Sequence, residues 1–224
     1  MASVRPVEEK APEGAGIYRW VTGLLENNVY VVADVKAARA AIIDPSMDSD
    51  PILEWLREKG LSLDYVLITH GHFDHAFRAG FFARETGAQV AMSEADAPML
   101  LQLADQAVFW GFQADDDPPK PSLLLKDGDE VRIGSLALKV AATPGHSPGG
   151  VSFILDGPPA GGFVGDLIFA AGVGRTDLPG GSLEHLMSSI RGRILSLPDE
   201  TALYPGHGPV TTVGREKASN PFIS

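Results

Sequence analysis

Thr69-His70-Gly71-His72-Phe73-Asp74-His75 follows directly on Tyr65-Val66-Leu67-Ile68, and the junction of the two decides the fold. The apolar run is short and rich in β-branched residues, the pattern of a strand buried on both faces. Where it ends, three imidazoles and a carboxylate fall within six residues, ahead of an apolar helical pattern that begins near Ala76. Four potential ligands therefore converge on the carboxyl end of one strand. In extended backbone His70 and His72 point to the same side, and Gly71 between them leaves room for an ion to approach. Asp74 and His75 fall where the helix starts.

The chain holds six histidines, and two of the other three stand in similar settings, Thr143-Pro144-Gly145-His146 and Tyr204-Pro205-Gly206-His207. Each follows a predicted strand through a Pro-Gly turn. A further strand, Gly162-Phe163-Val164-Gly165, leads to Asp166. Four strand ends thus carry five histidines and two aspartates, a set that suits a pair of zinc, iron or manganese ions. His185, inside a helical segment, reads as a solvent-facing or packed side chain rather than a ligand.

His-x-His-x-Asp-His followed by a distant His, an Asp and a last His resembles the metallo-β-lactamase superfamily, and the resemblance runs from about Tyr18 to His207. It implies an α/β fold, an αββα sandwich of two mixed β-sheets flanked by helices. It further implies that His70, His72 and His146 hold one divalent metal ion, that Asp74, His75 and His207 hold a second, and that Asp166 bridges them. Two such cations share a water and bring its pKa down to about neutral, supplying hydroxide without a strong protein base. Asp74 then orients that hydroxide. Asp44, after a strand, and Asn27 or Asn28 are candidates for holding the imidazole N–H groups that metal sites need fixed.

The bounds agree with a small soluble enzyme. With 224 residues, 44% of them hydrophobic, there is material for one sizeable core. Residues 1–15, polar and rich in Pro, Gly and Glu, read as a flexible N-terminal arm, and 16–224 as a single domain. A net charge of −11 argues against a nucleic-acid partner, because scattered basic residues cannot neutralise a phosphate backbone. No apolar run approaches the roughly 20 residues of a membrane span, and Met1 to Pro6 carries no signal core. The absence of cysteine excludes thiolate ligands and is compatible with a cytoplasmic location.

Elsewhere the pattern predicts strands at Ile17–Val21, Asn28–Val35 and Ala40–Ile43, then a helix opened by Asp50-Pro51 and closed by Gly60. A helix over Ala76–Thr86, a strand over Gln89–Met92 and a helix near Ala97–Ala104 follow. Val108-Phe109-Trp110-Gly111-Phe112 with Asp115-Asp116-Asp117-Pro118-Pro119 reads as a loop, a lid or subunit contact on one view and a plug of the core edge on the other. Strands return at Leu123–Leu125, Glu130–Ile133, Leu136–Ala141, Val151–Leu155 and Gly162–Gly165. A last helix near Leu183–Leu195 precedes a final strand, Ala202–Tyr204.

Within the superfamily the chain resembles the hydroxyacylglutathione hydrolases, or glyoxalase II, and their short relatives. The residues that carry this are Glu26-Asn27-Asn28-Val29-Tyr30, Gly165-Asp166-Leu167-Ile168-Phe169 and Gly172-Val173-Gly174-Arg175-Thr176-Asp177-Leu178-Pro179-Gly180-Gly181. The resemblance implies a thioesterase acting on a small, glutathione-derived thioester, with Arg175 near a substrate carboxylate, a contact that guanidinium geometry suits. An Arg175 tied to Asp177 within its own loop is the alternative. Full-length glyoxalase II enzymes carry a helical region that grips glutathione, whereas 17 residues follow His207 here, which implies a weaker grip. The persulfide dioxygenase branch, with one iron on His70, His146 and Asp166, is the competing expectation, followed by a lactonase or other ester hydrolase. A lactonase of the quorum-sensing type has a tyrosine where this chain has Phe169. A homo-oligomer is compatible with the sequence.

Overall fold

The computed structural model of the chain describes residues 5–113, 119–157 and 159–223. The Asp115–Asp117 tract and Pro118, and Pro158 of the Gly157-Pro158-Pro159 turn, lie outside the described residues. The first sheet has seven strands in sequence order: β1 (Val7–Glu9), β2 (Ala15–Thr22), β3 (Asn27–Asp34), β4 (Arg39–Ile43), β5 (Ser62–Leu67), β6 (Gln89–Ser93) and β7 (Leu123–Leu125). Its first four strands are antiparallel, and β4 to β7 run parallel. The second sheet takes β8 (Glu130–Ile133), β9 (Leu136–Ala142), β10 (Val151–Leu155), β11 (Gly161–Gly165), β14 (Ala202–Pro205) and β15 (Thr211–Thr212), in the order β15-β14-β11-β10-β9-β8. A short ribbon of β12 (Ile168–Phe169) and β13 (Gly172–Val173) sits apart.

Side-chain alternation explains the layers. In β3 every residue is buried; Val29, Val31 and Ala33 face the helices, while Tyr30 and Val32 face the other sheet. The same split recurs in β4, where Ala40 and Ile42 join the helix-side core and Ala41 and Ile43 the inter-sheet core. In the second sheet Phe153, Phe163 and Tyr204 fill the space between the sheets, whereas Ile154, Val164 and Leu203 face outward. The outer face of the first sheet is covered by α1 (Pro51–Glu58), α2 (Phe73–Ala76), α3 (Ala79–Thr86), α4 (Ala97–Leu100) and α5 (Leu103–Phe109). That of the second is covered by α6 (Leu183–Ser189), which continues into a π-helical turn at Ile190–Ile194. The result is the expected αββα sandwich.

Several local expectations are corrected. Residues 7–9 of the predicted arm form an edge strand paired with β2, and Tyr204 donates its hydroxyl to the Lys10 carbonyl at 2.8 Å. The single helix expected over Ala76–Thr86 starts earlier, at Phe73, and is interrupted. The interruption has a tertiary cause, since the Arg78 N–H bonds the Pro45 carbonyl at 2.9 Å instead of continuing the helical ladder. Val108 and Phe109 belong to α5 rather than to a loop. A further helix, α7 (Val213–Ser219), follows the predicted last one.

Parallel pairing brings the functional loops together. Ile43, Leu67 and Ala91 stand in register across β4, β5 and β6, so the segments after them, carrying Asp44, His70 to His75, and Asp96, leave one edge of the first sheet. In the second sheet β11 and β14 are parallel, and β9 shares their direction because both β9 and β11 are antiparallel to β10. Their carboxyl ends release His146, Asp166 and His207 at one edge. The two edges are tied by a hydrogen bond from Val151 N to Thr69 O at 2.9 Å. Ligands gather at the carboxyl ends of strands in open α/β sheets for this reason.

Candidate metal centre

Five histidines and two aspartates meet at that junction. Ligand atoms of His70, His72 and His146 lie within 4.8 Å of one another, and so do those of Asp74, His75 and His207. Asp166 stands between the groups: its Oδ1 is 3.4 Å from His75 Nε2, and its Oδ2 is 3.6 Å from His146 Nε2 and 3.7 Å from His207 Nε2. His185 is exposed on α6 and takes no part.

The hydrogen bonds behind the rings set which nitrogen each presents. Thr69 donates its hydroxyl to Asp44 Oδ2 at 2.6 Å and accepts from His70 Nδ1 at 3.0 Å. His75 Nδ1 donates to Asp44 Oδ2 at 3.0 Å, His146 Nδ1 to the Arg175 carbonyl at 2.7 Å, and His207 Nδ1 to the Leu25 carbonyl at 3.0 Å. With Nδ1 engaged in this network, these four rings turn Nε2 to the centre. His72 presents Nδ1, 2.9 Å from His146 Nε2. Asp44 also falls within 4.8 Å of His70 and His75 atoms, but its oxygens are taken by the Thr69 N–H at 2.7 Å, the Thr69 hydroxyl and His75. It therefore fixes Thr69 and the His75 ring and turns no free oxygen to the centre.

The electrostatics fit divalent cations. Burial, helped by the neighbouring imidazoles, pushes His70 well below the usual histidine range, and burial with His146 brings His72 down to about 4, so both rings are neutral. Burial would raise Asp74 and Asp166, yet the charge of His75 and the bonds from the surrounding rings outweigh it and hold both carboxyls low. Against burial, those carboxylates draw His75 and His207 upward. Such a site calls for positive charge. Two of its atoms, His70 Nε2 and Asp166 Oδ1, are buried without a hydrogen-bond partner among the described residues. Buried polar atoms are rarely left so, and a cation would complete both. Close packing leaves no slack: a Cβ at Gly206 would lie 2.3 Å from Asp166 Oδ1 and 2.5 Å from His75 Cε1.

Of the two asparagines, Asn27 reaches the site and Asn28 does not. Asn27 donates Nδ2 to Asp74 Oδ2 at 2.9 Å. Asn28 donates instead to the carbonyls of Pro205 at 2.9 Å and Gly208 at 2.7 Å, so it braces the backbone around His207 and touches no imidazole. Successive β-strand side chains point to opposite sides, and that alternation separates the two.

Some supports carry no sequence signal. Asp96 is fully buried and accepts from Gly71 N at 3.0 Å, Ser147 Oγ at 2.6 Å and Gly149 N at 2.5 Å, binding the His70–His72 loop to the His146 loop. Gln106 accepts from Phe73 N at 3.1 Å and donates to the carbonyls of Met99 at 3.1 Å and Gly71 at 3.3 Å. Arg175 serves His146 through its carbonyl, while its Nε and Nη2 each bind Asp177 at 2.7 Å. A cleft of about 250 Å³ opens over His72, Asp74, His146, Asp166 and His207. Among the described residues no helix is long and apolar enough to cross a membrane.

Known proteins place this arrangement. The chain is 34% identical over 205 residues to the hydroxyacylglutathione hydrolase GloC of Haemophilus influenzae, covering 91% of this chain and 95% of that protein. The solved structure of the BLEG-1 B3 metallo-β-lactamase superposes with a TM-score of 0.84 at 31% identity, over 93% of this chain and 99% of that one. That of TTHA1623 in a di-iron-bound form gives 0.81 at 36% identity, over 91% and 98%. The sequence model of the metallo-β-lactamase superfamily matches residues 22–207, a span that runs through all seven of the converging histidines and aspartates, and the protein belongs to that superfamily as a metallo-hydrolase.

Proposed function

We propose that the protein is a thioester hydrolase of the hydroxyacylglutathione hydrolase type, working with two divalent cations, zinc in the first instance. The observation that carries this reading is the pair of ligand clusters joined at Asp166 on the floor of a cleft, in a chain similar along 91% of its length to GloC. His70, His72 and His146 would hold one cation, Asp74, His75 and His207 the other, with Asp166 shared. When bound, such a pair supplies Lewis acidity and a water acidic enough to act as a nucleophile at neutral pH.

The protein's own groups orient and confine. Asp74, pinned through Oδ2 by Asn27 and facing the cleft, orients the attacking water by accepting one of its hydrogens. Hydrolysis forms a bond from the water oxygen to the acyl carbon and breaks the C–S bond. One water proton ends on the departing thiol and the other leaves with the carboxylic acid. Asp44, Thr69 and the carbonyls of Arg175 and Leu25 keep the imidazoles from rotating, so the floor is set before substrate arrives.

The test uses protein purified without added metal. Metal content is measured first, then turnover of S-lactoylglutathione, turnover of a cephalosporin, and oxygen uptake with glutathione persulfide. Two metal ions per chain, thioester cleavage and no oxygen uptake are expected. Oxygen uptake with one iron and no hydrolysis would replace this reading by the persulfide dioxygenase, and faster turnover of the cephalosporin by a β-lactamase.

A further inference from the structure

The walls of the cleft differ in character from its floor. Leu25, Phe73, Trp110, Phe112 and Leu178 line it. Phe112 is anchored on Phe73, ring centres 5.5 Å apart, and the Trp110 backbone is fixed at the end of α5 by its main-chain N–H to the carbonyls of Ala107 and Gln106, at 3.1 and 3.2 Å. Trp110 is 46% exposed, so an aromatic face remains for a ligand to cover. The polar walls are already engaged. Both ends of the Gln106 amide bind the backbone of Gly71, Phe73 and Met99. Arg175, the cation among the lining residues, is neutralised by Asp177 and lies with its guanidinium carbon 5.8 Å from the Trp110 ring centre.

Beyond the metal ligands, therefore, the described residues of the cleft present apolar surface and no net charge. Its volume of about 250 Å³ falls below the 300–1,000 Å³ of pockets that enclose a drug-sized molecule, so it holds one end of a thioester. A glutathione tripeptide carries two carboxylates and an ammonium group, and burying these against such walls without partners is costly. The acyl end is the one that fits.

We propose that the protein selects thioesters whose acyl group is apolar, with that group packed against Trp110, Phe112 and Leu178 and the thiol portion left at the mouth. Trp110 is the specificity-determining residue. This rests on the thioester-hydrolase reading and goes beyond it, because the small hydroxylated lactoyl group becomes a poor occupant. Each methylene buried adds about fourfold to kcat/KM, and incomplete burial makes a hexanoyl thioester about 10- to 100-fold better than an acetyl one.

The test compares acetyl, lactoyl, butanoyl and hexanoyl thioesters of glutathione and of N-acetylcysteamine on the metal-loaded protein and on W110A and W110F. Binding of the non-hydrolysable thioether S-hexylglutathione to metal-free protein is followed by tryptophan fluorescence, with free glutathione as control. A rise from acetyl to hexanoyl on both thiols is expected. In W110A the hexanoyl-to-acetyl ratio of kcat/KM should fall about tenfold, and W110F should restore the slope. S-hexylglutathione, but not glutathione, should change the emission of wild type and not that of W110F. Equal rates along the series, or an unchanged slope in W110A, would overturn the proposal while leaving the hydrolase intact. If no thioester is cleaved, the hydrolase reading fails by itself, and absence of the Trp110-dependent fluorescence change then sinks the apolar site as well.

Discussion

Asp96→Asn isolates the role of a side chain that touches no ligand yet joins the two loops that carry three of them. The substitution keeps the volume and exchanges one carboxylate oxygen for an NH2 group. Oδ2 accepts from Gly71 N and Ser147 Oγ, and Oδ1 from Gly149 N, so either orientation of the amide sets a donor against a backbone N–H. In the less costly orientation the Gly149 N–H is orphaned inside the protein and the other two bonds lose their charge assistance. Hydrogen bonds to charged groups contribute about 1.5–3 kcal/mol and a buried orphan costs about 1–3 kcal/mol, which puts the total near 3 kcal/mol. For a chain of this size that is about 6–12 °C in Tm. The metal-free protein is the right sample, since loss of metal would otherwise lower Tm independently. The second consequence is local: affinity at His70, His72 and His146 should fall about 10- to 100-fold, as when the groups behind metal ligands are removed. Affinity at Asp74, His75 and His207 should change less than threefold. Thermal unfolding by circular dichroism and metal competition against a chromogenic chelator read the two quantities separately. A Tm within 1 °C of wild type would refute the hydrogen-bond argument, and an equal loss of affinity at both clusters would refute the positioning argument.

Asp166→Ala removes the carboxylate that stands between the two clusters, so metal content should fall below two per chain and turnover should drop more than about 100-fold; two tightly held ions with normal turnover would exclude the bridging role. Gly206→Ala forces a methyl group against Asp166 and His75 and should cost about 1–3 kcal/mol together with metal at the second cluster, whereas Gly192→Ala, with nothing within 4 Å of the added Cβ, should be neutral or stabilising in the same melts. Asp34 clips the two sheets together, accepting from the Ser135 hydroxyl at 2.6 Å, Ser135 N at 2.7 Å and Ala37 N at 2.9 Å, which lowers its pKa from 3.8 to about 2. Because the folded value lies below the unfolded one, this stabilisation is present above about pH 4 and lost as the pH falls toward 2. Asp34→Asn should therefore cost about 2 kcal/mol at neutral pH in urea titrations, and the gap to wild type should close between pH 4 and pH 2.

What the sequence alone determined is whatever depends on short-range pattern. The near-continuous apolar runs in Asn28–Val35 and Ala40–Ile43 mark strands buried on both faces, whereas the αββα order itself was legible only through the resemblance to the metallo-β-lactamase superfamily. The ligand types were legible for a related reason. Four strand ends carry five histidines and two aspartates, and imidazole and carboxylate are the donors that suit zinc, iron or manganese. Only the tertiary structure decided what stands behind the ligands. His146 and His207 are oriented by the carbonyls of Arg175 and Leu25, and a carbonyl is the same on every residue. Asp96 meets Gly71 and Ser147 from 25 and 51 positions away, through a parallel register that no local pattern encodes. Asn27 rather than Asn28 reaches Asp74 because strand pairing turns one inward and the other toward Pro205 and Gly208. The interruption between α2 and α3 belongs to the same class, since helical propensity there yields to one hydrogen bond from Arg78 N to Pro45 O. Local chemistry names the groups that can bind a metal, whereas the order in which strands pair determines which distant atoms hold those groups still.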